Sequence, residues 1–274
     1  VTDPAGPPDG AAGGGAGRYG RELFTPEDPR ESERIDDAAL VYDPVTTRLL
    51  RELGAGPGLR CLEVGAGTGT VARWLLERAG VAEVVALDRD TRSLAALGLP
   101  GLRVLTADVT DEDVDPGTFD LVHARFVLMH LPGRRRLVSR LAGLLNPGGV
   151  LVLGDAVELP DTLDGSSAYR RTMDAMWAAL RTTIGTDLTE VPAYPRYLRE
   201  EGLREVGAEV FCPPLVPGGP AARFWSGTWR RMRAELEASG LVDARAVEEA
   251  LAYLESPDLA ELGPGMATVW GRRP

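Results

Sequence analysis

The chain of 274 residues contains no lysine, so all thirty of its basic side chains are arginine. That absence excludes a Schiff-base lysine and the lysine of a phosphate-binding loop. Glutamine is missing as well, Asn146 is the sole asparagine, and His123 and His130 are the only histidines. The two cysteines, Cys61 and Cys212, each fall in a strand-like run and read as small buried hydrophobes, not as a disulfide or metal pair. No apolar run reaches the ~18 residues of a membrane helix, and no basic flank followed by an apolar core marks a signal peptide. A cytoplasmic protein without a membrane partner is expected. The net charge of −11 argues against a nucleic-acid backbone as partner. The acids Asp111, Asp113 and Asp115 alternate, but without the glycine and distal glutamate of a calcium loop. They read as a solvated turn, and no metal site is expected.

What is present is ordered along the chain. Thirteen of residues 1–17 are glycine, proline or alanine, which predicts a flexible tail. Residues 18–58 read as a helical N-terminal cap. In "YDPVTTRLLRELG", Asp43 is placed as the helix cap and Pro44 in the first turn. Val45, Leu49, Leu50 and Leu53 share a face, and Gly54 ends the helix. Apolar runs at 60–64, 83–87, 102–106, 119–123 and 150–154 then alternate with helical segments. One of these helices carries Leu137, Leu141 and Leu144 before a Pro-Gly stop. Continuous apolar strands alternating with helices predict an α/β fold with a parallel sheet covered on both faces. The main domain is expected over 59–274, with helical lid insertions near 160–195 and 219–260. Trp177, Trp225 and Trp229 read as helical core.

The stretch "CLEVGAGTGT" (61–70) carries the chemistry. Gly65, Gly67 and Gly69 follow a short buried strand, where bare backbone can approach a ligand and a helix start offers unbonded N–H groups. A dinucleotide fingerprint needs a glycine three positions after Gly67, and Thr70 stands there instead. The spacing is G-x-G-x-G, preceded by Glu63.

With "ALD" ending at Asp88, "ADV" at 107–109, "FDLVHAR" at 119–125 and "LNPGGVLVL", this stretch resembles the class I S-adenosylmethionine-dependent methyltransferases, most closely bacterial small-molecule enzymes with helical lids. The resemblance implies a seven-stranded, mostly parallel Rossmann-like sheet and S-adenosylmethionine as cofactor. It implies a loop of Gly65, Ala66 and Gly67 around the cofactor, with Glu63 beneath it. Asp88 then meets the ribose hydroxyls with Arg89 beside it, Asp108 and Val109 meet the adenine, and Ala124 lies near the methionine part.

Methyl transfer is an in-line displacement helped mainly by alignment and exclusion of water. A base matters only where the acceptor must lose a proton, and no lysine can serve. His130, seven residues past the fourth strand, is the first candidate for base or acceptor-positioning group, and His123 the second. The Asp/Asn-Pro-Pro-Tyr/Phe motif of amino-methyltransferases is absent. A small-molecule acceptor, with the protein as monomer or homodimer and a role in bacterial natural-product chemistry, is the expectation. The alternatives are a cofactor-binding protein on the same fold that does not methylate, and a nicotinamide-dependent oxidoreductase, which Thr70 disfavours.

Overall fold

Seven apolar segments pair side by side in the computed structural model, which describes residues 20, 23–25, 28–158 and 167–274. The expected tail, 1–17, lies outside the described residues. The strands are β1 (Arg60–Val64), β2 (Glu83–Asp88), β3 (Leu102–Thr106), β4 (Phe119–Arg125), β5 (Leu145–Val157), β6 (Arg204–Phe211) and β7 (Gly265–Arg272). They form one sheet in the order β3-β2-β1-β4-β5-β7-β6. Strands β1 to β5 are parallel, and β7 runs antiparallel to both β5 and β6. The strand order reverses between β1 and β4, which opens a crevice beyond their carboxyl ends.

The helices are α1 (Pro29–Glu52), α2 (Thr70–Trp74, continuing as a π-helical turn over Leu75–Ala79), α3 (Arg92–Ala95), α4 (Arg134–Gly143), α5 (Ala168–Ile184), α6 (Tyr194–Glu200), α7 (Pro220–Arg231), α8 (Arg233–Ala238) and α9 (Ala244–Glu255). Strand alternation sends Cys61, Ala86, Leu121 and Val152 to one sheet face, where they pack with Leu50 of α1 and Val71 of α2. Leu62, Val85, Val122 and Leu151 take the other face, against Leu141 of α4 and Leu198 of α6. A third core, built on Met173 of α5, Trp229 of α7 and Leu254 of α9, reaches the sheet at Ala156, near the end of β5. It stands over the crevice.

Three local expectations are corrected. Asp43 and Pro44 do not start a helix: α1 runs unbroken from Pro29 to Glu52, with Asp28 as its cap through a bond from the Arg30 N–H, 3.0 Å. Pro44 removes the donor that residue 40 would have used, and Leu40 is exposed, so water can serve that carbonyl. Residues 145–149, read as a stop, open strand β5 instead, with a shift of register against β4. Cys212 lies just past β6 and is half-buried, whereas Cys61 is fully buried in β1.

Candidate active site

The glycine loop after β1 forms one wall of a cavity of about 1200 Å³ at the carboxyl ends of β1, β2 and β4. Gly65, Gly67 and Gly69 have φ of +66°, +55° and +80°, the left-handed region that favours glycine. A Cβ on Gly65 would stand 2.3 Å from a methyl of Val127, and one on Gly69 2.6 Å from a methyl of Leu97. Packing demands those two glycines. Gly67 is different: its nearest neighbour would be a methyl of Ile35 at 3.7 Å, so it keeps backbone open to the cavity. The Gly67 N–H donates to Asp88 Oδ2 at 2.8 Å, which ties the loop to the end of β2.

Asp88 Oδ1 accepts the Asp90 N–H at 3.1 Å. Burial pushes the Asp88 carboxyl above the usual carboxylate range, against the pull of these bonds. Each of its oxygens has lone-pair capacity beyond one N–H. Asp88 pairs in register with Thr106 on β3, and the following turn brings Asp108 and Val109 to the same cavity. Asp108 Oδ1 accepts the backbone N–H and the hydroxyl of Thr110, at 2.8 and 2.6 Å, which fixes that turn. Bare backbone at Gly67 and carboxylates at the ends of two adjacent strands thus share one wall of the cavity. Ala66 and Arg89 also line the cavity.

Glu63 lies under the loop and reaches the cavity, with its Oε2 2.8 Å from Nδ1 of His123. The two residues pair directly across β1 and β4 and are both buried. His123 does not line the cavity, and neither does Ala124. The pleat is the reason: His123 points with Glu63 to the α1 face, and Ala124 points into the opposite core with Leu62. His123 therefore acts on the site only through Glu63.

Beyond β4 the chain is held tightly. Arg125 donates to Thr46 Oγ1 at 2.9 Å and to Asp43 Oδ1 at 2.7 Å, both on α1. Phe126 has φ of +56°, a strained value for a residue with a side chain, and its N–H donates to the Gly154 carbonyl at 2.7 Å. Asp155 then receives the N–H groups of Val127 and Met129, at 3.0 and 3.1 Å, and the Tyr194 hydroxyl at 2.8 Å. Burial pushes the Asp155 carboxyl up to about 7, with these donors opposing it. This buried carboxyl anchors the turn Leu128–His130 and so places His130.

His130 lines the cavity, and its Nδ1 lies 2.8 Å from Thr186 Oγ1. Burial first, then the charges of Arg34, Arg134 and Arg89, push its imidazole down to about 3. The ring is uncharged at neutral pH and a weak proton acceptor. Above it, Arg34 of α1 grips Glu31 through two bonds, at 2.9 and 2.6 Å. The same guanidinium stacks on Phe224 of α7, 5.1 Å from its centroid, and reaches Thr228 Oγ1 at 3.4 Å.

Two of the tryptophans read as helical core are buried there and also form cavity wall. Trp177 of α5 and Trp225 of α7 line it with their rings edge to face, 6.2 Å between centroids, beside Met176, Leu180 and Phe224. Trp229 is fully buried core, as expected. Asp111 and Asp115 lie away from the cavity lining, each accepting a backbone N–H two residues on.

Strand order, switch-point cavity and glycine loop define an α/β protein with a cavity at the crevice. Residues 62–151 match the family model described as a methyltransferase domain. The matched segment is about a third of the chain, and the fold is shared with solved methyltransferase structures. Among curated proteins, phosphoethanolamine N-methyltransferase 3 of Arabidopsis thaliana is 28% identical over 170 residues, covering 60% of this chain and 32% of that protein. Trans-aconitate 2-methyltransferase of Deinococcus radiodurans is 34% identical over 132 residues, covering 47% of this chain and 48% of that protein. The chain thus spans half or less of the length of both relatives. Among solved structures, phosphoethanolamine N-methyltransferase 2 of Haemonchus contortus, in complex with phosphomonomethylethanolamine and S-adenosylhomocysteine, superposes with a TM-score of 0.58 at 16% identity. It covers 90% of this chain and 58% of that one. Among the described residues, no helix is long and apolar enough to cross a membrane.

Proposed function

We propose that the protein transfers a methyl group from S-adenosylmethionine to a small-molecule acceptor, in the natural-product role suggested by the sequence resemblance. The observation that carries this reading is the single cavity that joins the Gly67–Asp88–Asp108 wall to an aromatic chamber between α5 and α7. At about 1200 Å³ it exceeds the ~300–1,000 Å³ filled by one drug-sized ligand, leaving room for donor and acceptor together. Among the residues lining the cavity, Asp88 would accept from the ribose hydroxyls, Asp108 and Val109 would meet the adenine, and Gly65, Ala66 and Gly67 would cradle the remainder over Glu63, with Arg89 beside Asp88.

When bound, S-adenosylmethionine would supply a sulfonium methyl group, open to in-line displacement by an acceptor lone pair with the sulfur as leaving group. The chain's own part is alignment. His130 is the positioning group for the acceptor, because its uncharged ring can hydrogen-bond but holds a proton poorly. Residues of helices α1, α5 and α7 line the site beside the glycine loop.

The test is direct. Calorimetry on the full chain should show binding of S-adenosylhomocysteine and not of NAD, and denatured protein should release an adenosyl compound. Incubation with S-adenosylmethionine and a cell extract should yield a product heavier by one CH₂. Tight NAD binding would overturn the class. Cofactor binding without any methylated product would favour a non-methylating role.

A further inference from the structure

The acceptor end of the cavity has a consistent chemistry. Its walls are Met176, Trp177 and Leu180 of α5 and Phe224 and Trp225 of α7. All five lie outside the matched methyltransferase domain, 62–151. Flat aromatic walls favour a flat apolar occupant, through offset and edge-to-face contacts.

An aromatic lining could also cage an ammonium group, so charge decides between the two. The carboxylate in this region, Glu31, is engaged by Arg34 through two bonds and by Arg231 at 3.2 Å. The guanidiniums are engaged too. Arg34 holds Glu31, Arg125 holds Asp43, and Arg134 donates to the Met129 carbonyl at 2.8 Å and lies 3.5 Å from Glu190. An anionic acceptor would have to displace one of these carboxylates. A cationic acceptor would enter the field of Arg34, Arg134 and Arg89 that already disfavours a proton on His130. Burial, the larger cause of that shift, opposes any full charge at His130, and the guanidiniums add to the cost of an ammonium there.

We propose that the acceptor is an uncharged aromatic compound bearing a hydroxyl group, its ring held between α5 and α7 and its hydroxyl hydrogen-bonded to His130. The proposal rests on the methyltransferase reading. Transfer replaces the hydroxyl hydrogen with the methyl group and releases that hydrogen to water as a proton. The product is an aryl methyl ether, and the sulfonium becomes a thioether.

The experiment is calorimetry on the full chain, with and without saturating S-adenosylhomocysteine, using one ring system with different head groups. The probes are 2-naphthol, 2-methoxynaphthalene, 2-naphthoate and 2-naphthylmethylammonium, with phosphoethanolamine and trans-aconitate as small charged comparators. We expect 2-naphthol to bind at least tenfold more tightly than any charged probe. His130→Ala should abolish its preference over 2-methoxynaphthalene. Trp225→Leu and, independently, Trp177→Leu should weaken 2-naphthol tenfold or more while the affinity for S-adenosylhomocysteine stays within twofold, which also reports that each variant is folded. A charged probe that matches or exceeds 2-naphthol overturns the proposal, as does 2-naphthol binding that ignores both tryptophans. Failure of S-adenosylhomocysteine to bind overturns the methyltransferase reading instead, while the cofactor-free titrations still measure the chamber.

Discussion

The Tyr194 hydroxyl donates to Asp155 at 2.8 Å inside the protein, and that carboxyl also holds the backbone of Val127 and Met129. A side chain on α6 and the end of β5 thereby fix the turn that presents His130. The carboxyl titrates near 7 in the folded chain, against an ordinary value of 3.8. As pH rises through that window the unfolded chain loses this proton first. The stability Asp155 contributes is therefore full below about 3.8 and lost as pH rises to about 7, at most ~4 kcal/mol. Asp155→Asn does not titrate. The difference in unfolding free energy between wild type and this variant should favour wild type more at pH 5 than at pH 8, as denaturant titrations at the two pH values would show. A difference independent of pH would refute the assignment.

Asp88→Ala should weaken S-adenosylhomocysteine by ~10–100-fold, the range for one or two charge-assisted hydrogen bonds partly replaced by water. It also removes the acceptor for the Gly67 N–H, so loop and ribose contact fail together. Unchanged affinity in calorimetry would remove Asp88 from the site.

His130→Ala should leave cofactor affinity nearly constant while raising the acceptor KM, by ~10–100-fold for one lost hydrogen bond. His130→Asn, which keeps a hydrogen-bonding group, should recover most of that loss. With the imidazole held at about 3, the pH–rate profile should show no step near 6.5 that disappears in either variant. Such a step would make His130 the proton acceptor after all.

His123→Leu should destabilise the fold by about 3–5 kcal/mol if Glu63 is left as a buried, unpaired carboxylate. Replacing both residues, Glu63→Leu with His123→Leu, should recover part of that loss. Thermal unfolding of the two single variants and the double variant gives the coupling, and additive effects would mean that the 2.8 Å contact carries no energy.

Much of this was legible in the sequence, and the rest was hidden for physical reasons. Strands β1 and β3 matched their apolar runs because turn residues bound them on both sides. The glycine loop was legible because left-handed backbone and the 2.3 Å approach to Val127 leave few other choices at Gly65. Asp43 misled because its pairing partner, Arg125, lies 82 residues away, and a mid-helix Asp-Pro looks locally like a helix start. That Trp177 and Trp225 also face the cavity was hidden for another reason. Helical spacing shows which face is apolar, but a face turned to an apolar chamber and a face turned to core have the same pattern. Asp155 was visible only as a lone acid, since its donors come from two other segments.

Helix α1 spans 24 residues, about 36 Å end to end. Its first half is fastened to α7 through Arg34–Thr228 and Asp37–Arg223, and its second half to the sheet through Asp43–Arg125 and Arg48–Glu209. A rod pinned along its whole length cannot peel open a turn at a time. Movement of the whole rod would loosen several polar fastenings together. Residence times of cofactor and product should then shorten as ionic strength rises, even where equilibrium contacts inside the cavity stay the same.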